Sequence, residues 1–224
     1  MKSLWIVVPA YNEQSTIQQV VAALIRFSPN VIVIDDCSTD LTAIRARAAG
    51  ARVLHHPINL GQGASLQTGI EFALQSGASY IVTFDADLQH RAEDIPSLLE
   101  ALRRAGADFA LGSRFLGGAT NIDLSRRMLL KAAVLFTRLT TGLRLTDVHN
   151  GMRAMTRRGA RALRIRQNRM AHASEILQQI ARSRLPYVEV PVTVEYTPYS
   201  KAKGQRLSNS VNIVLELLTG ALQR

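Results

Sequence analysis

Apolar and polar positions follow two rhythms over the first 112 residues. Short apolar runs at 4–8, 31–34, 52–55, 80–84 and 109–111 read as strands, most of them rich in β-branched or aromatic side chains. Between the first two runs, Ile17, Val20, Val21, Leu24 and Ile25 repeat at helical spacing and make one face of an amphipathic helix. Further helices are expected over 41–49, 64–75 and 93–104, the last with Pro96 in its first turn, where proline is tolerated. Strands alternating with helices predict an α/β fold, a Rossmann-like and mostly parallel sheet flanked by helices. Beyond Gly112 the rhythm loosens. Residues 128–145 are apolar with Lys131, Arg138 and Arg144 interspersed, which suits an amphipathic helix lying against protein or membrane. A helix over 171–182, a strand over 187–196 containing Pro191 and an amphipathic helix over 208–222 complete the pattern. One domain over 1–224 is expected, with 1–112 and 113–224 as its two halves.

Charge sharpens the contrast between those halves. Residues 1–100 carry 6 Lys/Arg against 10 Asp/Glu, whereas 101–224 carry 21 against 7. The basic part calls for an anionic partner. The stretch 157–169 holds six arginines, a density suited to peripheral binding at an anionic lipid surface. Aromatic residues make up 5%, with none inside the arginine run, so no base-stacking platform and no nucleic-acid partner is expected. The single cysteine, Cys37, excludes an internal disulfide and fits a reducing, cytoplasmic setting. The first apolar run stops at Pro9, too short for a signal peptide, and no apolar run reaches the length of a membrane span.

Candidate chemistry concentrates at strand ends. The run 80–84 stops at Asp85 and Asp87, one residue apart, and the C-terminal edge of an open parallel sheet is where ligands bind. Two hard oxygen ligands there suit Mg²⁺ or Mn²⁺ shared with a phosphorylated substrate, and Gln89 offers a third oxygen. The first strand ends in VVPAYNE (7–13) and the second in VIVIDDCSTD (31–40). Carboxylates on that edge can accept hydrogen bonds from a nucleobase or a ribose. Capping of the next helix is the competing role for Asp35, Asp36 and Asp40, although two adjacent aspartates exceed what a cap requires. The five histidines show no metal-ligand spacing; His55 and His56 read as loop residues, and His90 lies beside the D-x-D pair.

Taken in order, VVPAYNE, VIVIDDCSTD, NLGQG (59–63), FDADLQ (84–89) and GSRF (112–115) resemble the family 2 glycosyltransferases of GT-A fold. Asp147-Val-His-Asn-Gly-Met-Arg153, the basic stretch around Arg126 and the Glu189-Val-Pro-Val strand resemble the polyprenol-phosphate (dolichol-phosphate mannose synthase-like) branch. The resemblance implies an inverting transfer from a nucleoside-diphosphate sugar, UDP or GDP, to a polyprenyl-phosphate lipid, with Mg²⁺ or Mn²⁺ as cofactor. It implies a basic helical and β acceptor region in the C-terminal half, and a location at the cytoplasmic face of a membrane, with a small membrane protein as a possible partner. The implied nucleotide-sugar site is Pro9, Tyr11, Glu13, Asp35, Asp36, Gly63, Asp85, Ala86 and Asp87. The metal would rest on Asp85, Asp87 and Gln89. Arg114, Arg126, Lys201, Lys203 and Arg206 would bind acceptor phosphate, with Asp87, Arg114 and Asp147 as the catalytic candidates.

The chain departs from that pattern in places. Cys37 stands where glycine is usual, Gln62 where lysine is common, Leu130 and Val134 where polar residues are usual, and Tyr196 roughly where an arginine is expected. A phosphate acceptor is already anionic and needs no strong base, whereas a sugar hydroxyl acceptor would need one. Asp147 is the candidate for that task, against a structural tie to Arg153. Three rivals remain at this stage: a saccharide-extending enzyme of the same fold, a nucleotidyltransferase, and a nucleic-acid-binding module. VVPAYNE in place of a Gly-rich phosphate loop speaks against the second.

Overall fold

Alternation along β1 (Leu4–Ala10) sends Ile6, Val8 and Ala10 to one face of a sheet and Trp5 and Val7 to the other. β2 (Val31–Asp35) does the same with Val31 and Val33 against Ile32 and Ile34, and all five of its residues are buried. Strands buried on both faces need helices on both faces, and the chain supplies them. The computed structural model describes residues 3–120, 124–148, 150–168 and 171–196. On one face lie α1 (Ile17–Ile25), packed through Ile17, Val20, Val21 and Leu24, and α4 (Ile95–Ala105), packed through Ile95, Leu98 and Leu102. The opposite face is covered by α3 (Gln62–Gln75), α5 (Leu124–Thr141), α6 (Arg157–Ala162) and α7 (His172–Ser183). The short α2 (Thr42–Ala48) packs beside α1 and against β3 (Arg52–His55).

Seven strands form one sheet in the order β3-β2-β1-β4-β6-β5-β7, where β4 is Tyr80–Thr83, β5 Phe109–Thr120, β6 Arg153–Thr156 and β7 Tyr187–Glu195. β1 to β4 are mutually parallel, and β6 runs antiparallel to both β4 and β5. The expected boundary at 112/113 falls inside β5, so the two halves share this sheet. β5 runs nine residues past the expected Leu111, because its continuation pairs with β7 across an irregularity between Ser113 and Gly118. The sequence pattern missed β6 and α6 entirely. The expected helix over 208–222 lies outside the described residues.

Strand order reverses at β1, whose neighbours are β2 and β4, and this is the point where an open α/β sheet gapes at its carboxyl edge. Pro9 helps open it. Val7 accepts from Phe84 on the β4 side and Ala10 from Asp36 on the β2 side, so Pro9 faces β4 just past the last ladder pair, Val7 with Thr83. A residue without an N–H costs no hydrogen bond there. The adjoining β2–α2 turn carries strain: Cys37 has φ +64°, a left-handed backbone that disfavours side chains. Cys37→Gly is expected to stabilise the fold by about 0.5–1 kcal/mol, the relief of strain partly offset by glycine's entropy. Equilibrium urea unfolding checks the sign.

Candidate active site

Two loops that leave the carboxyl edge are stitched together before any ligand arrives. Asn12, at φ +52°, accepts from the Thr39 amide through its side chain, and its own amide donates to Ser38 Oγ. The Glu13 amide donates to Thr42 Oγ1 and the Gln14 amide to Asp40 Oδ2. Asp40 also accepts from the Thr42 amide at the start of α2, which ties it to the end of that helix. Tyr11 is left exposed at the mouth, while Pro9 and Glu13 are buried.

Asp85 and Asp87 follow β4 on a turn in which Leu88 takes φ +60°. That conformation brings the Gln89 amide onto Asp87 Oδ1 at 3.1 Å, and the Gln89 carbonyl accepts from Glu195 at the end of β7. Asp85 is held from several sides. Gln62 donates to its Oδ1 at 3.0 Å, and His90 Nε2 lies 3.3 Å from its Oδ2. Gly151 presses its backbone so close that a Cβ there would lie 1.9 Å from Asp85 Oδ2. Burial alone would raise the Asp85 pKa, but His90, with the charges of Arg153 and His172, draws it below the usual carboxylate value. Asp87 behaves oppositely: burial, then the charge of Asp85, pushes it up to about 6. A second carboxylate that resists ionisation beside a first fits a site completed by a cation. Among the described residues no three His, Cys, Asp or Glu side chains gather as a metal cage, so such a cation would share its shell with substrate oxygens.

The nucleoside candidates divide. Asp36 is buried and accepts from His56 Nδ1 at 2.7 Å, from the Leu60 amide at 2.9 Å and from the Gly61 amide at 2.6 Å. His56, a loop residue just past β3, also meets Thr68 Oγ1, so this pair anchors the loop before α3. Asp35 is buried as well; Oδ2 meets His55, and Oδ1 has no partner among the described residues. Gly63 spends its amide on Asn168, and a Cβ at that position would lie 2.0 Å from the Gln167 carbonyl. Glu175 holds this 166–168 segment by accepting from the Arg166 and Gln167 amides. Ala86 is buried between the two aspartates.

Two strands beyond β4 on the same edge, Arg114 on β5 and Asp147 form an ion pair at 2.6 Å, with side-chain exposures of 6% and 0%. Asp147 Oδ2 also accepts the Arg114 amide, and Arg114 Nη1 donates to Tyr196 Oη at 2.5 Å. Burial works against the Arg114 charge, yet Asp147 and Tyr196 outweigh it and raise its pKa. The hydrogen-bonded tie of Asp147 therefore runs to Arg114 rather than to the expected Arg153, which acts on it through charge. Glu189 accepts from the Thr146 and Asp147 amides, which gives the Glu-Val-Pro strand its local purpose. Tyr196 is buried on Arg114, a fixed partner rather than a loop substitute for arginine. Arg126 lies on α5 with its side chain outside the described set, and Lys201, Lys203 and Arg206 lie outside the described residues. The arginine run starts on the opposite edge of the sheet: Arg157 donates to the Ala78 and Leu74 carbonyls, and Arg158 pairs with Asp108.

Arg153 and Asn150, which sequence reasoning left out of the site itself, sit at the centre of this edge. Arg153 begins β6 opposite Thr83, buried between Asp85 and Asp147; burial lowers its pKa against the pull of those two carboxylates. Asn150 turns its Oδ1 to the Met152 amide. The D-x-x-x-G-x-R spacing was their only signal.

A switch point in the strand order, a D-x-D turn beside it and a buried arginine on the same edge are the features of a nucleotide-sugar transferase of GT-A type. Residues 5–164 match the model of glycosyl transferase family 2, and the chain belongs to that family. It is 34% identical to undecaprenyl-phosphate mannosyltransferase of Micrococcus luteus, over 84% of this chain and 81% of that one. It is 28% identical to UDP-N-acetylglucosamine–dolichyl-phosphate N-acetylglucosaminyltransferase of Methanococcus voltae, over 97% and 95%. The fold matches glucosyl-3-phosphoglycerate synthase of Mycobacterium tuberculosis in complex with Mn²⁺, UDP and phosphoglyceric acid, with TM-score 0.74 and 21% identity over 97% of this chain and 78% of that one.

Proposed function

We propose that this glycosyltransferase moves a hexose from a UDP- or GDP-sugar to the phosphate of a polyprenyl-type lipid, at the cytoplasmic face of a membrane, with inversion. The observation that carries the lipid acceptor is the outer face of α5. Leu130 and Val134 point into the protein, which accounts for their apolar character. Met128, Ala132, Leu135 and Leu139 recur at i, i+4, i+7 and i+11 and are exposed, with exposed Lys131 and Arg138 alongside. The helix sequence has no acidic residue, and α5 starts from the carboxyl end of β5, the edge that carries the site. An apolar stripe edged by cations is the composition of a helix lying in an anionic lipid interface. Among the described residues no helix is long and apolar enough to cross a membrane. Relatives named for dolichyl- and undecaprenyl-phosphate support the same acceptor class.

In this reading Asp87 and Gln89, with Asp85, hold the divalent cation. When bound, the cation neutralises charge developing on the nucleoside diphosphate leaving group. Tyr11, Pro9 and Glu13 line the nucleoside end. Arg114, oriented by Asp147 and Tyr196, presents its guanidinium to the acceptor phosphate, a task its planar fork suits. Holding acceptor and donor in line supplies much of the remaining rate.

The test is incubation with Mn²⁺ and UDP- or GDP-hexoses on vesicles containing undecaprenyl or dolichyl phosphate. Sugar should appear in the lipid fraction as nucleoside diphosphate is released. Transfer to saccharide hydroxyls with none to lipid phosphate would replace this acceptor by the saccharide one. Separately, Leu135→Gln with Leu139→Gln is expected to weaken binding to anionic vesicles by about tenfold or more, given ~1.5–3 kcal/mol for each leucine buried. Turnover of a short-chain, water-soluble polyprenyl phosphate should be unchanged. Cosedimentation and the soluble assay read the two effects apart.

A further inference from the structure

The nucleoside end of the sheet carries a side chain to which no motif gives a role. β3 ends in His55, in register with Asp35 at the end of β2, and His55 Nδ1 lies 2.6 Å from Asp35 Oδ2. The two differ in access: the His55 side chain is 50% exposed and that of Asp35 1%. A ligand that reaches this end of the edge meets the imidazole before the carboxylate. We infer that His55 contacts the nucleobase of the donor, and that Asp35 is the positioning residue that fixes the ring. The inference rests on the nucleotide-sugar reading given above.

Three features carry it. A carboxylate only accepts hydrogen bonds, so Nδ1 donates to Asp35 and the ring's second nitrogen, Nε2, is the one left to meet a ligand. The neighbouring pair supplies the contrast. His56 makes the same contact with Asp36, but both are buried and fully engaged with Thr68, Leu60 and Gly61. His55 is the last residue of β3 and His56 the first beyond it, and the chain closes one imidazole into the fold while it leaves the other half-exposed. Position agrees as well. In the order β3-β2-β1-β4, His55 lies three strand spacings from the D-x-D turn, about 14 Å. The base is the part of a nucleoside diphosphate farthest from a diphosphate held at Asp85 and Asp87.

Calorimetric titration of wild type, His55→Ala, His55→Gln and His55→Asn tests this, with UDP, GDP and inorganic pyrophosphate, each with Mn²⁺. His55→Ala should weaken the preferred nucleotide about fivefold to tenfold and leave pyrophosphate unchanged, the loss of one hydrogen bond to the base. Glutamine places its amide nitrogen near the Nε2 position and should restore most of the affinity. Asparagine reaches only the Nδ1 position, where it can hold Asp35, and should not. Rescue by asparagine but not glutamine would make His55 a mere partner of Asp35 and overturn the assignment. An unchanged nucleotide affinity in His55→Ala would overturn it too. If wild type binds both nucleotides no more tightly than pyrophosphate, the nucleotide-sugar reading itself fails, and that is visible before any variant is compared.

Discussion

Replacing Asp87 with asparagine is expected to lower sugar transfer by about a thousandfold, the scale of losing a principal electrostatic group at a developing charge. The substitution keeps the shape of the side chain and removes its charge, so the thermal unfolding midpoint should hold or rise while Mn²⁺-dependent UDP or GDP binding disappears. The raised pKa of Asp87, about 6, adds a pH signature with a fixed sign. A carboxyl with a raised pKa binds its proton more tightly folded than unfolded, so its contribution to stability falls as pH rises from the ordinary carboxylate range toward 6. Above that range the ionised group is an uncompensated cost that a bound cation relieves. Mn²⁺ should therefore raise the unfolding midpoint at pH 7.5 more than at pH 5, and the difference should vanish in Asp87→Asn. Wild-type turnover in that variant would remove Asp87 from the cation site.

What could be read in the chain follows from how each element is stabilised. β1, β2 and β4 and the helices between them were legible because burial on both faces leaves near-continuous apolar strands and periodic helices. β6 was invisible for the opposite reason. It opens with Arg153, a buried charge that feels Asp85 and Asp147 through the fold, and no local hydrophobic pattern reports an influence from 68 residues away. The length of β5 was likewise hidden, since residues 112–120 are extended through their pairing with β7.

The candidate site divides in the same way. Asp85 and Asp87 announced themselves by standing at the end of an apolar run. The division of labour between Asp35 and Asp36 did not, because it depends on His55 and His56, which a sequence shows only as two residues after a short strand. Adjacent aspartates looked equivalent, yet the imidazole that ends β3 is half-exposed on Asp35 and the one just past it is buried on Asp36. Gln62 shows a third kind of limit. As a replacement for lysine it reads as a lost contact, whereas in the fold its amide holds Asp85.

Asp147→Ala is expected to cost about 3–5 kcal/mol of stability, the scale of breaking a buried ion pair and leaving one charge uncompensated. The carboxylate neutralises the Arg114 guanidinium at 6% exposure and also accepts the Arg114 backbone amide, so two buried donors lose one acceptor. This separates a general base from a structural partner. Removing a base lowers kcat and leaves the unfolding midpoint in place; removing this partner lowers the midpoint. The double variant Arg114→Met/Asp147→Leu takes the test further. Replacing both charges by apolar groups of similar size removes the desolvation cost along with the attraction, so most of the stability lost in Asp147→Ala should return. Transfer to lipid phosphate should not return with it, because the guanidinium proposed to meet that phosphate is gone. Chemical denaturation and the vesicle assay on the two variants read these outcomes independently. A stable Asp147→Ala protein with collapsed kcat would make Asp147 the base, and with it a hydroxyl the acceptor.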